Sequence, residues 1–65
     1  MDDYKYRITK ELDQLEFRIA KLKAFLWGDI FNSLPEYDRN LLIKQLAFME
    51  SYEGILGIRL ARSAG

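Results

Sequence analysis

A chain of 65 residues is one domain at most, and with 49% hydrophobic residues it is too apolar to be a disordered segment. It has no Cys and no His, which excludes a disulfide framework and the usual zinc sites. Its ten basic and ten acidic side chains cancel, which argues against a protein that coats DNA or long RNA.

The chain opens on acidic residues rather than on a charged and then apolar leader, and it has no apolar run long enough to cross a membrane. It also lacks the basic run that would hold a hairpin on a membrane surface. We therefore expect a soluble, cytoplasmic protein that does not act at a membrane.

An unbroken apolar heptad predicts the first helix, up to about Trp27. Its steps alternate between four and three residues, which is typical of a helix that packs along its length against another helix. The seam residues are Ile8, Leu12, Leu15, Ile19, Leu22 and Leu26. Asp2 and Asp3 suit the positive N-terminal end of this helix, and Gly28 suits a left-handed cap at its other end.

Turn signals follow the first helix. We expect residues 29–32 to form a short loop, Ser33 to be the N-cap of the second helix, and Glu36 to complete a capping box. Trp27, Phe31 and Tyr37 around the turn are expected to form a local apolar plug.

The second helix is predicted over residues 34–62. Its apolar stripe is Leu42, Leu46, Met49, Tyr52, Leu56 and Leu60, widened by Leu41, Phe48 and Ile55. Gly54 and Gly57 lie inside this helix, where each costs about 1 kcal/mol relative to Ala. We expect them to mark a close helix crossing, with room for a ligand as the alternative.

Two long helices joined by a short loop predict an all-α fold, an antiparallel hairpin in a single domain over residues 1–65. Chains below about 70–80 residues seldom have a sufficient core without a disulfide, a metal or oligomerisation. Since the first two are excluded here, we expect the hairpin to assemble into a homo-oligomeric helical bundle.

A second face of the first helix carries cations and aromatic rings. Its members are Tyr6, Arg7, Lys10, Gln14, Phe17, Arg18, Lys21, Ala24 and Phe25. Most such stripes are solvated faces with aromatics in a subunit contact. The alternative is a site for a planar anionic ligand, because rings stack on bases and cations hold phosphate. Tyr6 and Lys21 are fifteen residues apart, about 22 Å along a helix, so one small ligand meets both only between protomers.

The residues give no indication of an enzyme. His and Cys, the usual general base and nucleophile, are absent, and no Gly-rich phosphate loop occurs. We expect no catalytic residues, no cofactor and no metal. Two function classes remain: a ligand-binding protein, and a structural or adaptor helical oligomer that binds another protein through its exposed aromatics.

Short motifs along nearly the whole chain resemble those of small bacteriophage hairpin proteins. The motifs are Tyr4-x-x-Arg7-Ile8, Arg18-Ile19-x-Lys21-Leu22-x-x-Phe25, Phe31-x-x-Leu34, Leu41-Leu42-x-x-Gln45, Met49-x-x-Tyr52 and Arg59-Leu60. This family includes the anti-CBASS cyclic-oligonucleotide sponges, and a related hairpin occurs in a Thoeris anti-defence sponge. The resemblance implies a homo-hexamer in the infected bacterial host cell that sequesters cyclic dinucleotide second messengers without cleaving them.

The resemblance also implies site residues. In the sponges a Tyr near the N-terminus stacks on a base, and a Lys in the first long helix of a neighbouring protomer meets phosphate. Tyr4 matches the Tyr of the Tyr-x-x-Arg pattern, which Arg7 completes, and Lys21 matches the Lys before Leu. Tyr6 remains an alternative to Tyr4, because it lies on the cationic side of the helix.

Some sponges also bind cyclic trinucleotides at a separate site lined by an Arg near the C-terminus. Arg59 or Arg62 matches that position. The candidate ligand-binding residues are therefore Tyr4, Tyr6, Arg7, Lys21 and Arg59.

Overall fold

The computed structural model describes residues 3–63, which form three helices: α1 over Asp3–Leu26, α2 over Asp29–Ser33 and α3 over Glu36–Ser63. The long helices α1 and α3 lie antiparallel in a rod of 49 × 15 × 13 Å. The predicted all-α hairpin is confirmed, with a short helix in place of the loop. Along the described chain, no helix combines the length and apolar character needed to cross a membrane.

The core of the hairpin follows the predicted seam of α1. Ile8, Leu15 and Ile19 are buried, and they pack with Leu56 of α3, which is completely buried. Partly buried neighbours complete the cluster: Leu12, Leu46, Met49 and Leu60. The seam is therefore confirmed, because a and d positions of one helix meet the facing side of another along their length.

The end of α1 differs from the expectation for Gly28. Its φ is −91°, and no glycine among the described residues has a positive φ, so the predicted left-handed cap is wrong. The helix closes instead through short-range bonds from the Trp27 and Gly28 amides to the carbonyls of Ala24 and Phe25. Gly28 in its extended conformation then serves as the N-cap of α2.

The predicted capping box at Ser33 is also wrong. The Ser33 hydroxyl donates to the carbonyl of Ile30 inside α2, at 2.7 Å. Leu34 is extended, with ψ 152°, because the ring of Pro35 disfavours a helical conformation in the residue before it. The helix α3 therefore begins only at Glu36, and the Pro35 carbonyl accepts from the Arg39 amide.

Much of the apolar surface stays outside this core. Leu41, Phe48 and Ile55, which widen the α3 stripe, are all exposed. The predicted plug at the turn is wrong: Trp27 is 88% exposed and Tyr37 is exposed as well. Only Phe31 packs locally, edge-on against Phe25 with 6.3 Å between ring centroids.

The two glycines of α3 do not mark a crossing within the hairpin. A Cβ added at Gly54 or at Gly57 would meet nothing within 4 Å. The predicted close crossing is therefore wrong for the single chain, since no neighbouring helix comes near enough to require a missing side chain.

Candidate functional site

The open end of the hairpin carries a shallow cleft of about 290 Å³. The first turns of α1 and the last turns of α3 form it, because the antiparallel arrangement places the beginning of α1 beside the end of α3. The lining residues are Tyr4, Arg7, Ile8, Glu11 and Arg59. Two cations, one carboxylate and one aromatic ring therefore surround a single small opening.

Arg59 is held against Tyr4. Its Nε and Nη2 atoms donate to the Tyr4 hydroxyl at 3.2 and 3.0 Å, and its guanidinium carbon lies 5.5 Å from the centroid of the Tyr4 ring. The hydrogen bond to Tyr4 raises the pKa of Arg59 above its ordinary value. The cation is thus fixed beside an aromatic ring before any ligand arrives.

Glu11 is held by a second bond across the hairpin. The Tyr52 hydroxyl of α3 donates to its Oε2 atom. This bond to a carboxylate raises the pKa of Tyr52, since the phenol proton is held by a strong acceptor. The bond restrains the Glu11 side chain, which is the one acidic group among the residues that line the cleft.

The structure brings three of the five candidate residues together: Tyr4, Arg7 and Arg59. Arg59, which the resemblance assigned to a separate trinucleotide site, lies in the same cleft as Tyr4. Tyr6 is 63% exposed and does not line the cleft.

Lys21 lies away from the cleft within one chain. It is seventeen residues from Tyr4 on the same helix, a distance of about 25 Å. Its Nζ atom lies 5.2 Å from the centroid of the exposed Phe17 ring, one turn away. A ligand in the cleft therefore meets Lys21 only through a second protomer, as the helical spacing predicts.

Sequence reasoning missed Glu11 and misjudged Tyr52. Glu11 follows Tyr4 by seven residues, so the heptad places both on one flank of the α1 seam. That spacing was the available signal for grouping them. Tyr52 was assigned to the core stripe of the second helix, but it is 39% exposed and directs its hydroxyl to Glu11.

Within residues 3–63, no group of three acidic side chains is placed to hold a metal ion. The polar groups of the cleft are guanidinium donors, one carboxylate and one phenol. Such a set suits a ligand with an anionic part, which the guanidinium groups bind, and a planar part, which the ring contacts.

Fold and cleft together define a small helical-hairpin protein with a cationic and aromatic site at its open end. The chain belongs to the Sequestin family, whose sequence model matches residues 2–62. It is 34% identical over 59 residues to an uncharacterized 7.5 kDa protein from the denB–rIIB intergenic region of Enterobacteria phage T4, an alignment that covers 91% of this chain and 92% of the phage protein. No solved structure matches the chain significantly.

Proposed function

We propose that this protein is a phage sponge that binds cyclic dinucleotide second messengers of CBASS-type antiviral signalling and sequesters them without cleavage in the cytoplasm of the infected host. The observation that carries the proposal is the fixed pair of Tyr4 and Arg59 beside Arg7 in one cleft. The family name, which denotes sequestration, and the related phage protein support it.

Each part of the cleft has a task in this proposal. A base stacks on the Tyr4 ring, which remains 49% exposed in the single chain. The Arg7 and Arg59 guanidinium groups bind phosphate through charge-assisted hydrogen bonds. The Tyr4 hydroxyl keeps Arg59 in place, which lowers the entropy lost when the ligand binds.

Glu11 adds a preference among bases. Its carboxylate only accepts hydrogen bonds and repels phosphate, so it fits the base rather than the backbone of the ligand. The Watson–Crick edge of guanine presents two adjacent N–H donors, which can both bond to one carboxylate, whereas that of adenine presents one donor beside an acceptor. The proposed sponge therefore prefers a guanine base at this position.

The size of the cleft indicates that one chain holds only part of the ligand. About 290 Å³ is at the lower limit of small-molecule sites. One nucleotide unit fits there, and the rest of a cyclic dinucleotide lies against another protomer. This agrees with a homo-oligomer, a hexamer by the family resemblance, in which Lys21 of a neighbour meets phosphate. No catalysis is needed, because stoichiometric binding alone lowers the concentration of free signal.

Titration calorimetry with a panel of cyclic dinucleotides tests the proposal. Removing one charge-assisted contact costs about 1.5–3 kcal/mol, so Arg59→Ala should weaken binding about 10- to 100-fold. Tyr4→Ala should weaken it similarly, while Tyr4→Phe should lose less because the stacking ring remains. Tyr6→Ala is the matched control and should bind like the parent.

Two outcomes would count against the proposal. If the parent protein binds no cyclic nucleotide of the panel, the structural or adaptor oligomer becomes the better interpretation, with exposed aromatics such as Trp27 as its contact surface. If Tyr6→Ala loses the ligand and Tyr4→Ala keeps it, the ligand lies on the cationic face of α1 and not in the cleft.

A further inference from the structure

A second apolar stripe runs along α3 outside the hairpin core. Its positions alternate at steps of four and three residues, so they lie on one side of the helix. We call it the outer stripe, and it consists of Tyr37, Leu41, Lys44, Phe48, Ser51, Ile55, Ile58 and Arg62. Its large apolar members are all exposed in the single chain, Phe48 to 72%.

The outer stripe borders an open apolar groove of about 480 Å³. The groove is lined by Leu41, Lys44, Gln45, Phe48, Met49 and Tyr52. Only Lys44 among these residues is charged, and Tyr52 connects the groove to the cleft through its bond to Glu11. An apolar surface of this extent on one helix indicates an interaction site.

The solvent-accessible surface of the single chain is larger than that of a typical folded monomer of its mass. The chain exposes 5223 Å², about 900 Å² more than the roughly 4,300 Å² expected of a folded monomer of this mass. A standard protein–protein interface buries about 800 Å² on each partner. One interface of ordinary size therefore removes the excess.

We propose that the outer stripe is the interface with a second copy of this chain, and that the two α3 helices pack antiparallel around a two-fold axis. Charge decides the direction. A parallel pair would place Lys44 against the partner's Lys44 and Arg62 against the partner's Arg62, and like charges in facing positions are destabilising. In an antiparallel pair, the a positions of one helix face the d positions of the other. Since Arg62 is at an a position and Lys44 at a d position, neither cation then faces its own copy.

The register follows from the same reasoning. In the proposed register, three pairs of positions face each other across the interface. Leu41 lies opposite the partner's Ile58, Lys44 opposite the partner's Ile55, and Phe48 opposite the partner's Ser51. At each end, Tyr37 lies opposite the partner's Arg62, which allows a cation–π contact. If the partner helix were shifted so that each residue faced a position seven residues nearer the partner's C-terminus, Lys44 would face the partner's Arg62. A shift of seven residues in the other direction would leave Ile58 without a facing residue in the partner's α3.

A two-fold interface of this kind is compatible with larger assemblies, since a hexamer of dihedral symmetry contains two-fold axes. None of the outer-stripe residues lines the cleft at Tyr4 and Arg59, so the assembly of the ligand-free protein tests the interface without the ligand. A protein that assembles but binds no cyclic dinucleotide counts against the proposed function alone, and an assembly that survives loss of the outer stripe counts against this interface alone.

Cysteine cross-linking tests the direction and register, and the parent chain has no Cys to interfere. Tyr37→Cys and Arg62→Cys are each oxidised alone and then as a mixture. We expect a disulfide-linked dimer mainly in the mixture. Cross-linking of each variant with itself, and none beyond that in the mixture, would overturn the antiparallel arrangement.

The interface itself is tested by Phe48→Ser with Ile30→Ser as its matched control. Both side chains are exposed in the single chain, Ile30 to 66%, so neither substitution removes core packing. Sedimentation should show that Phe48→Ser raises the dissociation constant of the dimer at least about tenfold, while Ile30→Ser leaves it unchanged. The reverse result, or a parent protein that sediments as a folded monomer at micromolar concentration, would overturn the proposal.

Discussion

Replacing Gly54 with Ala should stabilise this protein. Gly54 lies in the interior of α3, where Gly costs about 1 kcal/mol relative to Ala. The added Cβ meets nothing within 4 Å, so no steric clash offsets the gain. The free energy of unfolding should rise by about 0.5–1 kcal/mol, and Tm by about 4–8 °C per kcal/mol for a chain of this size.

Urea denaturation followed by circular dichroism measures this gain, at several protein concentrations to separate folding from assembly. Gly28→Ala is the matched control. Gly28 is an extended N-cap, a position at which Gly is preferred over Ala, so its substitution should bring no gain. A destabilised Gly54→Ala protein would refute the reasoning, because it would mean that a helix of another protomer crosses α3 at Gly54.

Three further substitutions probe the core, the cross-hairpin bond and the proposed contact between protomers. Leu56→Ala should lower the free energy of unfolding by about 2–5 kcal/mol, because Leu56 is completely buried. Ile43→Ala, at a half-exposed position, should lower it far less. Equal losses for the two variants in urea denaturation would show that Leu56 is not a core residue. The bond to Glu11 raises the pKa of Tyr52, so it contributes stability below pH about 10 that is lost as pH rises through the raised pKa. Tyr52→Phe should flatten this alkaline decline, and identical pH profiles would speak against the bond. Lys21→Ala should weaken cyclic-dinucleotide binding about 10- to 100-fold in calorimetry with the oligomer intact by light scattering, and unchanged affinity would remove Lys21 from the site.

The hairpin was predictable because the large aliphatic side chains of α1 lie on one narrow seam. The heptad spacing of these side chains is enough to predict which side of the helix is buried. Ile8, Leu15 and Ile19 are buried as predicted. In α3 the apolar residues cover more than one side. The pattern therefore could not separate Leu56, which enters the core, from Ile55, which stays exposed.

The turn was mispredicted because two local rules compete there. Ser33 and Glu36 have the spacing of a capping box, but Pro35 forces the residue before it into an extended conformation. The steric restriction prevails, since no hydrogen bond to a side chain compensates a clash in the backbone. The chain therefore forms the short helix α2 before α3 begins.

The site was predictable in its residue types and only partly in its grouping. The family resemblance pointed to Tyr4 and Arg59 separately, and the two residues are 55 positions apart in the sequence. Their contact depends on how the two arms of the hairpin are aligned, which local pattern does not determine. Glu11 was missed for the same reason, because its partner Tyr52 lies on the other arm.

Recovery of the bound ligand tests whether the protein sequesters a cyclic dinucleotide without cleaving it. Increasing amounts of the protein are incubated with a guanine-containing cyclic dinucleotide, the free ligand is measured after ultrafiltration, and the protein is then heat-denatured to release what it bound. Free ligand should fall in proportion to added protein, and all of the bound ligand should return intact on chromatography. Ligand that stays free at stoichiometric protein would exclude sequestration, and ligand that returns as linear products would exclude binding without cleavage.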